Sequence, residues 1–467
     1  MFANFLQQDI FKKISEVAQK QGVRVFVIGG YVRDLLLQRS SKDIDIVTEG
    51  SGIALAEELG KQLRSKVSIF KNFGTAMLRY GDIELEFVGA RKESYRTNSR
   101  KPIVENGTLE EDQERRDFTI NALALSLNRE NYGELIDPFG GIKDLNEGII
   151  RTPLPPDVTY SDDPLRMMRA IRFATQLNFE IVDESKDAIR RNRQRIVGGV
   201  VSVERITDEL CKIMACQKPS RGFFLLDEME LLELILPQVH MLKGVRSVGK
   251  HHHKDNFLHT LQVLDNVAQK SGNVWLRWAA LLHDMAKPLV KKYEKGKGWT
   301  FHGHELIGAK MVPKIFAELK LPQKEKMRYV QKLVGLHLRP IALSQEEVTD
   351  SAVRRLLFEA GDDVDDLMLL CEADITSKNE QTVKRHLQNF EFVRTRLREI
   401  EEKDHVRNLQ PPISGELIMQ TYNLPPSREV GLIKEAIKEA ILNGEIRNNY
   451  EEAFEYMQRK AKEIGVR

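Results

Sequence analysis

The chain has 467 residues, 41% of them hydrophobic and 30% charged, and its 71 Lys and Arg nearly balance 69 Asp and Glu, for a net charge of +2. That length predicts about three domains, the near balance confines nucleic-acid binding to local basic patches, and the lack of an apolar run of about 20 residues excludes a membrane-spanning helix. Cys211, Cys216 and Cys371 have no metal-knuckle or disulfide spacing, and MFANFLQQDIFKK lacks the order of an export signal, so a cytoplasmic chain is expected.

The first predicted element is a strand, VRVFVIGG, whose two glycines give way to the helical YVRDLLL. A strand, glycine turn and helix presents backbone N–H groups and a helix dipole that favour phosphate. Gly29 and Gly30 are adjacent and no third glycine follows, so this is not the dinucleotide fingerprint. From the turn, Arg33 can either reach a triphosphate or pair with Asp34. In the next strand, DIDIV, alternation puts Asp43 and Asp45 on one face and Ile44 and Ile46 on the other. Two neighbouring carboxylates repel and need a proton, a basic partner or a cation, for which Mg²⁺ is suited, unless Ser40, Ser41 and Lys42 make the pair part of a solvated turn.

The runs AMLRY and IELEFVG read as further strands, so residues 1 to about 145 are expected to form a mixed α/β head. The segment ARKESYRTNSRKPIVENGTLEEDQ reads as a long loop, basic at Arg96, Arg100 and Lys101, that either faces substrate or is disordered. RRDFTIN follows, in which Asp117 fits an N-cap. After DPFGGIKDL and RTPLPPD the strand signal disappears. In SDDPLRMMRAIRF, Asp163 and Pro164 fit an N-cap and first helical position, while Arg166, Arg169 and Arg172 wind a basic stripe slowly around the helix. VERITDELCKIM and FFLLDEMELLELIL continue the helical pattern, and AIRRNRQR is a local basic patch or a solvated helix end. LPQVHMLKGVRSVGKHHH reads as a linker.

Seven of eleven histidines then fall between residues 251 and 304. His259, His283 with Asp284, His304, His337 and Asp374 offer imidazoles and carboxylates on successive helices, a set able to enclose one or two divalent metals. The tail from about 376 is charged and helical, with Val430, Ile433, Ile437 and Ile441 forming a core stripe that ends at Gly444.

G-G-x-V-R-D followed by D-I-D resembles the class II tRNA nucleotidyltransferase and bacterial poly(A) polymerase family, and the H…HD…D pattern resembles HD-type metal phosphohydrolases. The resemblance implies a multidomain α+β fold: a polymerase-β-like nucleotidyltransferase head at 1–145, mixed sheet plus helices, then an all-α, RNA-binding neck at 146–245, an HD domain at 246–375 and a helical tail at 376–467. It implies that Asp43 and Asp45 bind catalytic Mg²⁺, with Asp117 or Glu86 as a third carboxylate, and that Gly30 and Arg33 hold the triphosphate. Arg116 and Asp117 contact the incoming nucleotide, and Arg169 and Arg172 line its site. Asp163 and Arg166 match the family's E-D-x-x-R, with Asp162 where Glu is usual, and so would read the base. A carboxylate only accepts and a guanidinium only donates, so the pair suits an amine beside a ring-nitrogen acceptor, as in cytosine and adenine but not uracil or guanine.

The expected function is template-independent addition of CCA to the tRNA 3′ end from CTP and ATP, with the acceptor arm held by neck and tail and no membrane involved. In the HD domain, a divalent metal of unspecified identity would be held by His259, His283, Asp284, His304, His337 and Asp374, and the resemblance implies phosphohydrolase activity there. Poly(A) synthesis, partial CC or A addition, and an HD phosphohydrolase with an RNA-binding head are the alternatives.

Overall fold

The computed structural model describes residues 2–96, 99–248, 253–296, 298–343, 349–376, 379–404, 407 and 410–466. The chain divides into two compact units, Met1–Leu236 and Pro237–Arg467.

The strands of the first unit are β1 (Val25–Ile28), β2 (Asp43–Thr48), β3 (Val67–Phe70), β4 (Thr75–Tyr80), β5 (Ile83–Gly89), β6 (Arg91–Arg96), β7 (Ser99–Asn106), β8 (Ala124–Ser126) and β9 (Leu135–Ile136). Seven of them form a mixed sheet in the order β3-β4-β5-β2-β1-β8-β9, in which β2 and β5 run parallel. The expected alternation holds in β2: Ile44 and Ile46 are fully buried while Asp43 is exposed. The apolar face is covered by two helices. Asp9–Gln21 buries Ile10, Phe11, Ile14, Val17 and Ala18, the spacing of a single helical stripe, and Gly52–Leu63 buries Leu55, Ala56 and Leu59. The second helix starts hard against β5, since a Cβ on Gly52 would lie 2.7 Å from the Val88 backbone.

The segment expected as a loop between β5 and RRDFTIN is instead the β6–β7 hairpin, followed by the helix Leu109–Glu114 with a Thr108/Glu111 capping box. Its composition is basic, but pairing across a turn is set by register, which composition does not report. Thr97 and Asn98, and the side chains of Arg96, Arg100 and Lys101, lie outside the described residues. Asp117 caps no α-helix; only the short turn Thr119–Asn121 follows it.

The helices Leu165–Leu177, Asp183–Asn192 and Val203–Met214 follow, in the region where the sequence pattern indicates helix, preceded by a short helix Pro156–Asp162 that begins in the turn-rich RTPLPPD. Two details differ. Ile149–Ile150 and Glu180–Ile181 form a short parallel strand pair where no strand was expected, and FFLLDEMELLELIL is broken at Glu230, whose φ is 58°.

In the second unit, part of the expected linker pairs as Arg246–Val248 with His253–Asp255, with residues 249–252 outside the description. Helices Asn256–Lys270, Val274–Leu282, His304–Glu318, Glu325–Leu336 and Val364–Ala373 form its body. Tail helix Arg428–Asn443 buries Val430, Ile433, Ile437 and Ile441 and stops at Gly444 in the left-handed conformation, as expected. Among the described residues, no helix is long and apolar enough to cross a membrane.

Candidate functional site

Ile28 at the end of β1 pairs with Asp45, so the glycine turn that follows is delivered beside the carboxylates. Gly29 has φ 84°, and a Cβ there would meet Arg116 Nη1 at 2.9 Å and Asp45 Oδ2 at 3.1 Å; both conformation and space require glycine. On the other side of β2, Asp45 pairs directly with Glu86 and Asp43 with Glu84 in the parallel register with β5. Directly paired residues share a sheet face, so Asp43, Asp45 and Glu86 gather on the one opposite the helices. Burial pushes the Asp45 carboxyl up, with the Arg116 charge opposing and Asp43 adding to the rise; burial and then Asp45 push Glu86 up as well. Such a group of mutually repelling carboxylates is stabilised by a hard cation, and an all-carboxylate donor set suits one.

The surrounding arginines are already engaged. Arg33 is buried, donating from Nη1 to Asn121 Oδ1 at 2.6 Å and from Nε and Nη2 to the two Asp34 oxygens, each at 2.9 Å. Arg116 Nε and Nη2 hold Asp112 Oδ2 at 3.3 and 3.1 Å, leaving Nη1 toward the glycine turn. Asp117, only 7% exposed, accepts from Phe118 N (2.9 Å) and Asn121 Nδ2 (3.0 Å) on Oδ1, and from Arg169 Nε (2.6 Å) on Oδ2. Burial alone would raise its carboxyl, but the Arg169 charge and these hydrogen bonds hold it at about 2. Both Asp117 oxygens thus have protein partners, whereas Glu86 stands in register with Asp45.

Asp163 ends one helix and Leu165 begins the next, so the cap lies one residue from its expected place. Asp163 Oδ1 still accepts from Leu165 N at 3.1 Å, while Oδ2 faces Arg205 Nη2 at 3.9 Å. Arg166 Nη2 donates to Arg115 O at 2.6 Å. Arg172 is buried, with Nε on Glu209 and Nη1 on Gln176. The guanidiniums of Arg33, Arg169 and Arg172 lie 4.9, 5.3 and 3.8 Å from the Phe173 ring centroid, so a single aromatic face spaces three cations. Sequence reading missed Asn121, Phe173, Arg205 and Glu209. The i, i+4 pair Arg205 and Glu209 in VERITDELCKIM was the available signal.

The second site brings together all six residues expected to hold metal. His259 lies in the first turn of its helix, His304 opens one, and His283, His337 and Asp374 close three. Asp284 is the centre: Oδ2 lies 3.3 Å from His283 Nε2 and 3.6 Å from His259 Nε2, and Oδ1 lies 3.2 Å from His304 Nε2 and 4.0 Å from His337 Nε2. Asp374 Oδ1 is 2.8 Å from His259 Nε2 and 3.6 Å from His283 Nε2. Each Nδ1 is held from behind: His283 by Ala280 O, His304 by Phe301 O, His337 by Val334 O and His259 by Thr376 Oγ1, at 2.7–2.9 Å. Fixing Nδ1 in this way aims Nε2 inward, as metal-binding imidazoles require.

Two triads, His259–His283–Asp284 and Asp284–His304–His337, each converge within 4.8 Å and share Asp284. His283 Nε2 is buried with no hydrogen-bond partner among the described residues, and the mixed imidazole and carboxylate set fits one or two divalent ions. Burial pulls the His283 imidazole down but the Asp284 and Asp374 charges prevail and raise it to about 10, whereas burial and the His283 charge depress His337 to about 3. Lys287, missed by sequence reading although one helical turn beyond His283–Asp284, donates to Asp284 Oδ2 at 2.6 Å.

A mixed-sheet head with a glycine turn beside paired carboxylates, and an HD-type cluster in a second unit, define a nucleotidyltransferase joined to an HD domain. Residues 25–151 match the poly(A) polymerase head domain, 178–242 the probable RNA and SrmB-binding site of polymerase A, and 256–379 the HD domain. An A-adding tRNA nucleotidyltransferase of Deinococcus radiodurans is 30% identical over 94% of the chain and 95% of its own length. One of Aquifex aeolicus is 45% identical over 36% of the chain, where the match spans 20% of that relative. A multifunctional CCA protein of Shewanella frigidimarina is 30% identical over 76% of the chain and 84% of its own length. A tRNA nucleotidyltransferase solved with a primer tRNA and an incoming ATP analogue superposes with a TM-score of 0.57 at 26% identity, over 82% of this chain and 98% of that one. The chain belongs to the tRNA nucleotidyltransferase family with a poly(A) polymerase head domain.

Proposed function

We propose that the protein adds CCA to the 3′ end of tRNA from CTP and ATP without a nucleic-acid template. The observation that carries this reading is the register of Asp45 with Glu86, which gathers Asp43, Asp45 and Glu86 on one sheet face beside the Gly29–Gly30 turn. Asp43 and Asp45, with Glu86 as the third carboxylate, would hold Mg²⁺, which when bound lowers the cost of negative charge developing on the transferred phosphoryl group and activates the attacking hydroxyl. The residues supply position. Gly30 opens a helix whose N–H groups favour phosphate, and Arg116 Nη1 points to the same turn. Arg33 and Arg172, being buried and paired, act by stiffening the site, and Arg169 holds Asp117 in place near the nucleotide.

Asp163 Oδ2, free of the helix cap, would accept from the base's exocyclic amine, and the Arg166 N–H groups not bound to Arg115 would donate to the ring nitrogen. Uracil or guanine would leave these groups unpaired, at roughly 1–3 kcal/mol each. The acceptor arm of tRNA would lie along the helical segments 146–245 and 376–467, and a tRNA-processing role implies the cytoplasm. The four segments 1–145, 146–245, 246–375 and 376–467 are the functional divisions we assign. In the second unit, His259, His283, Asp284, His304, His337 and Asp374 would hold divalent metal for phosphoester hydrolysis, with Lys287 keeping Asp284 oriented and ionised.

Relatives named A-adding enzymes favour a second reading, addition of the terminal A alone. Extension of tRNA transcripts ending before CCA, at C and at CC, with CTP and ATP supplied separately, decides. CCA addition extends all three; an A-adding enzyme extends only the transcript ending in CC; runs of A on any transcript would replace both readings with poly(A) synthesis.

A further inference from the structure

Between the metal-site residues Asp284 and His304 the chain leaves the cluster and returns to it through a hairpin, Lys292–Glu294 paired with Gly298–Thr300. Its base adjoins the cluster, since Lys287 bonds Asp284 and its Nζ lies 5.8 Å from the centroid of the Phe301 ring, whose carbonyl holds His304. The hairpin displays two large aromatics to solvent. Tyr293 and Trp299 are directly paired across it, 63% and 39% exposed, with ring centroids 5.3 Å apart. Lys291 Nζ sits 4.5 Å above the Trp299 ring, and Lys291, Lys292 and Lys295 have no ion-pair partner among the described residues. Glu294, the acid within the strand pair, is turned to Thr300 Oγ1 at 3.3 Å and to His302 Nε2 at 3.8 Å.

A cross-strand aromatic pair would staple a hairpin by itself. That account leaves unexplained three lysines around the rings with no ion-pair partner among the described residues, and their place at the rim of the histidine–aspartate cluster. Aromatic faces interleaved with cations are what single-stranded nucleic acid uses: bases stack on the rings and phosphates neutralise the lysines. We propose that this hairpin is a platform for single-stranded RNA, presenting a 3′-terminal phosphate to the histidine–aspartate cluster. The proposal rests on the phosphohydrolase reading of that cluster and names its substrate class, an RNA end rather than a free nucleotide. In the hydrolysis, the bond between phosphorus and the ribose 3′-oxygen breaks and the oxygen of water joins phosphorus. One proton of that water ends on the ribose oxygen and the other remains with the released orthophosphate. The product is an RNA with a free 3′-hydroxyl, the group that nucleotidyl transfer consumes.

The test uses the full-length protein loaded with Mn²⁺ and two substrates, an eight-residue oligoribonucleotide ending in a 3′-phosphate and the corresponding nucleoside 3′-phosphate. Wild type should hydrolyse the oligonucleotide with a kcat/KM about tenfold or more above the mononucleotide, by base stacking. The double variant Tyr293→Ala/Trp299→Ala should lose that preference through KM while hydrolysing the mononucleotide as before. Lys291→Glu/Lys292→Glu, which leaves the rings in place, should do the same and flatten the dependence on salt. Equal rates on both substrates, or a preference that survives both double variants, would overturn the platform and leave the phosphohydrolase reading intact. Wild type hydrolysing neither substrate would overturn that reading and the platform with it.

Discussion

The two sites solve opposite electrostatic problems. On the head sheet, Asp43, Asp45 and Glu86 are carboxylates without imidazole partners among the described residues, on a face where Asp43 is exposed and burial raises the other two. In the HD-type cluster, carboxylates and imidazoles neutralise one another in a buried knot, with the Asp284 carboxyl held well below its ordinary value by His283 and Lys287 against the cost of burial. An open all-oxygen set suits a hard ion that arrives with a triphosphate and leaves with pyrophosphate; a closed set with fixed Nε2 atoms suits a resident ion. Strand register builds the first, and helix ends build the second.

The sharpest break in that comparison is removal of a head carboxylate. Asp43→Ala or Asp45→Ala should lower nucleotide addition by at least about a thousandfold, because the charge stabilisation lost acts mainly in the transition state, while tRNA affinity measured by filter binding changes little. Undiminished addition by both variants would remove them from catalysis. For the resident-ion side, His283→Ala should reduce bound transition metal, read by elemental analysis, by at least about a hundredfold in affinity, with nucleotide addition nearly unchanged.

A smaller effect sharpens the contrast between paired and unpaired acids. Asp117 is held at about 2 against an ordinary value of 3.8, so it contributes stability above pH 4 that disappears as pH falls toward 2. Comparing wild type with Asp117→Asn in denaturant titrations, the stability gap should shrink by about 2 kcal/mol between pH 5 and pH 2. A gap independent of pH would show that the Arg169 pairing is not what lowers this carboxyl.

An effect of similar size is predicted on base choice. Asp163→Ala removes both the cap bond to Leu165 and the acceptor on Oδ2, so melting should report a loss of about 1 kcal/mol and the CTP to UTP incorporation ratio should fall roughly ten- to a hundredfold. A lowered melting temperature with an unchanged ratio would reduce Asp163 to a helix cap.

Much of this was legible in the sequence because the signals are local. Alternation placed Asp43 and Asp45 together, the glycine pair marked the turn, and histidines at helix ends identified the cluster. What stayed hidden is what depends on pairing between distant segments. The register that sets Glu86 beside Asp45 across β2 and β5 is encoded by no local pattern, so the sequence left Asp117 and Glu86 as alternatives. Arg172 read as a free cation because its partner Glu209 lies 37 residues away, and of the two partners of Arg33 the sequence offered the adjacent Asp34 but not Asn121, 88 residues away. The β6–β7 hairpin was hidden for the same reason, behind a basic composition that suggests a loop.

The central claim is that two chemically independent sites occupy one chain, and the most direct measurement assays both activities on Asp45→Ala and His283→Ala. In one preparation of each, addition to a tRNA transcript ending in CC and hydrolysis of a nucleoside 3′-phosphate in Mn²⁺ are followed side by side. The account predicts a crossed result: Asp45→Ala loses addition and keeps hydrolysis, and His283→Ala loses hydrolysis and keeps addition. Loss of both activities in either folded variant would contradict it.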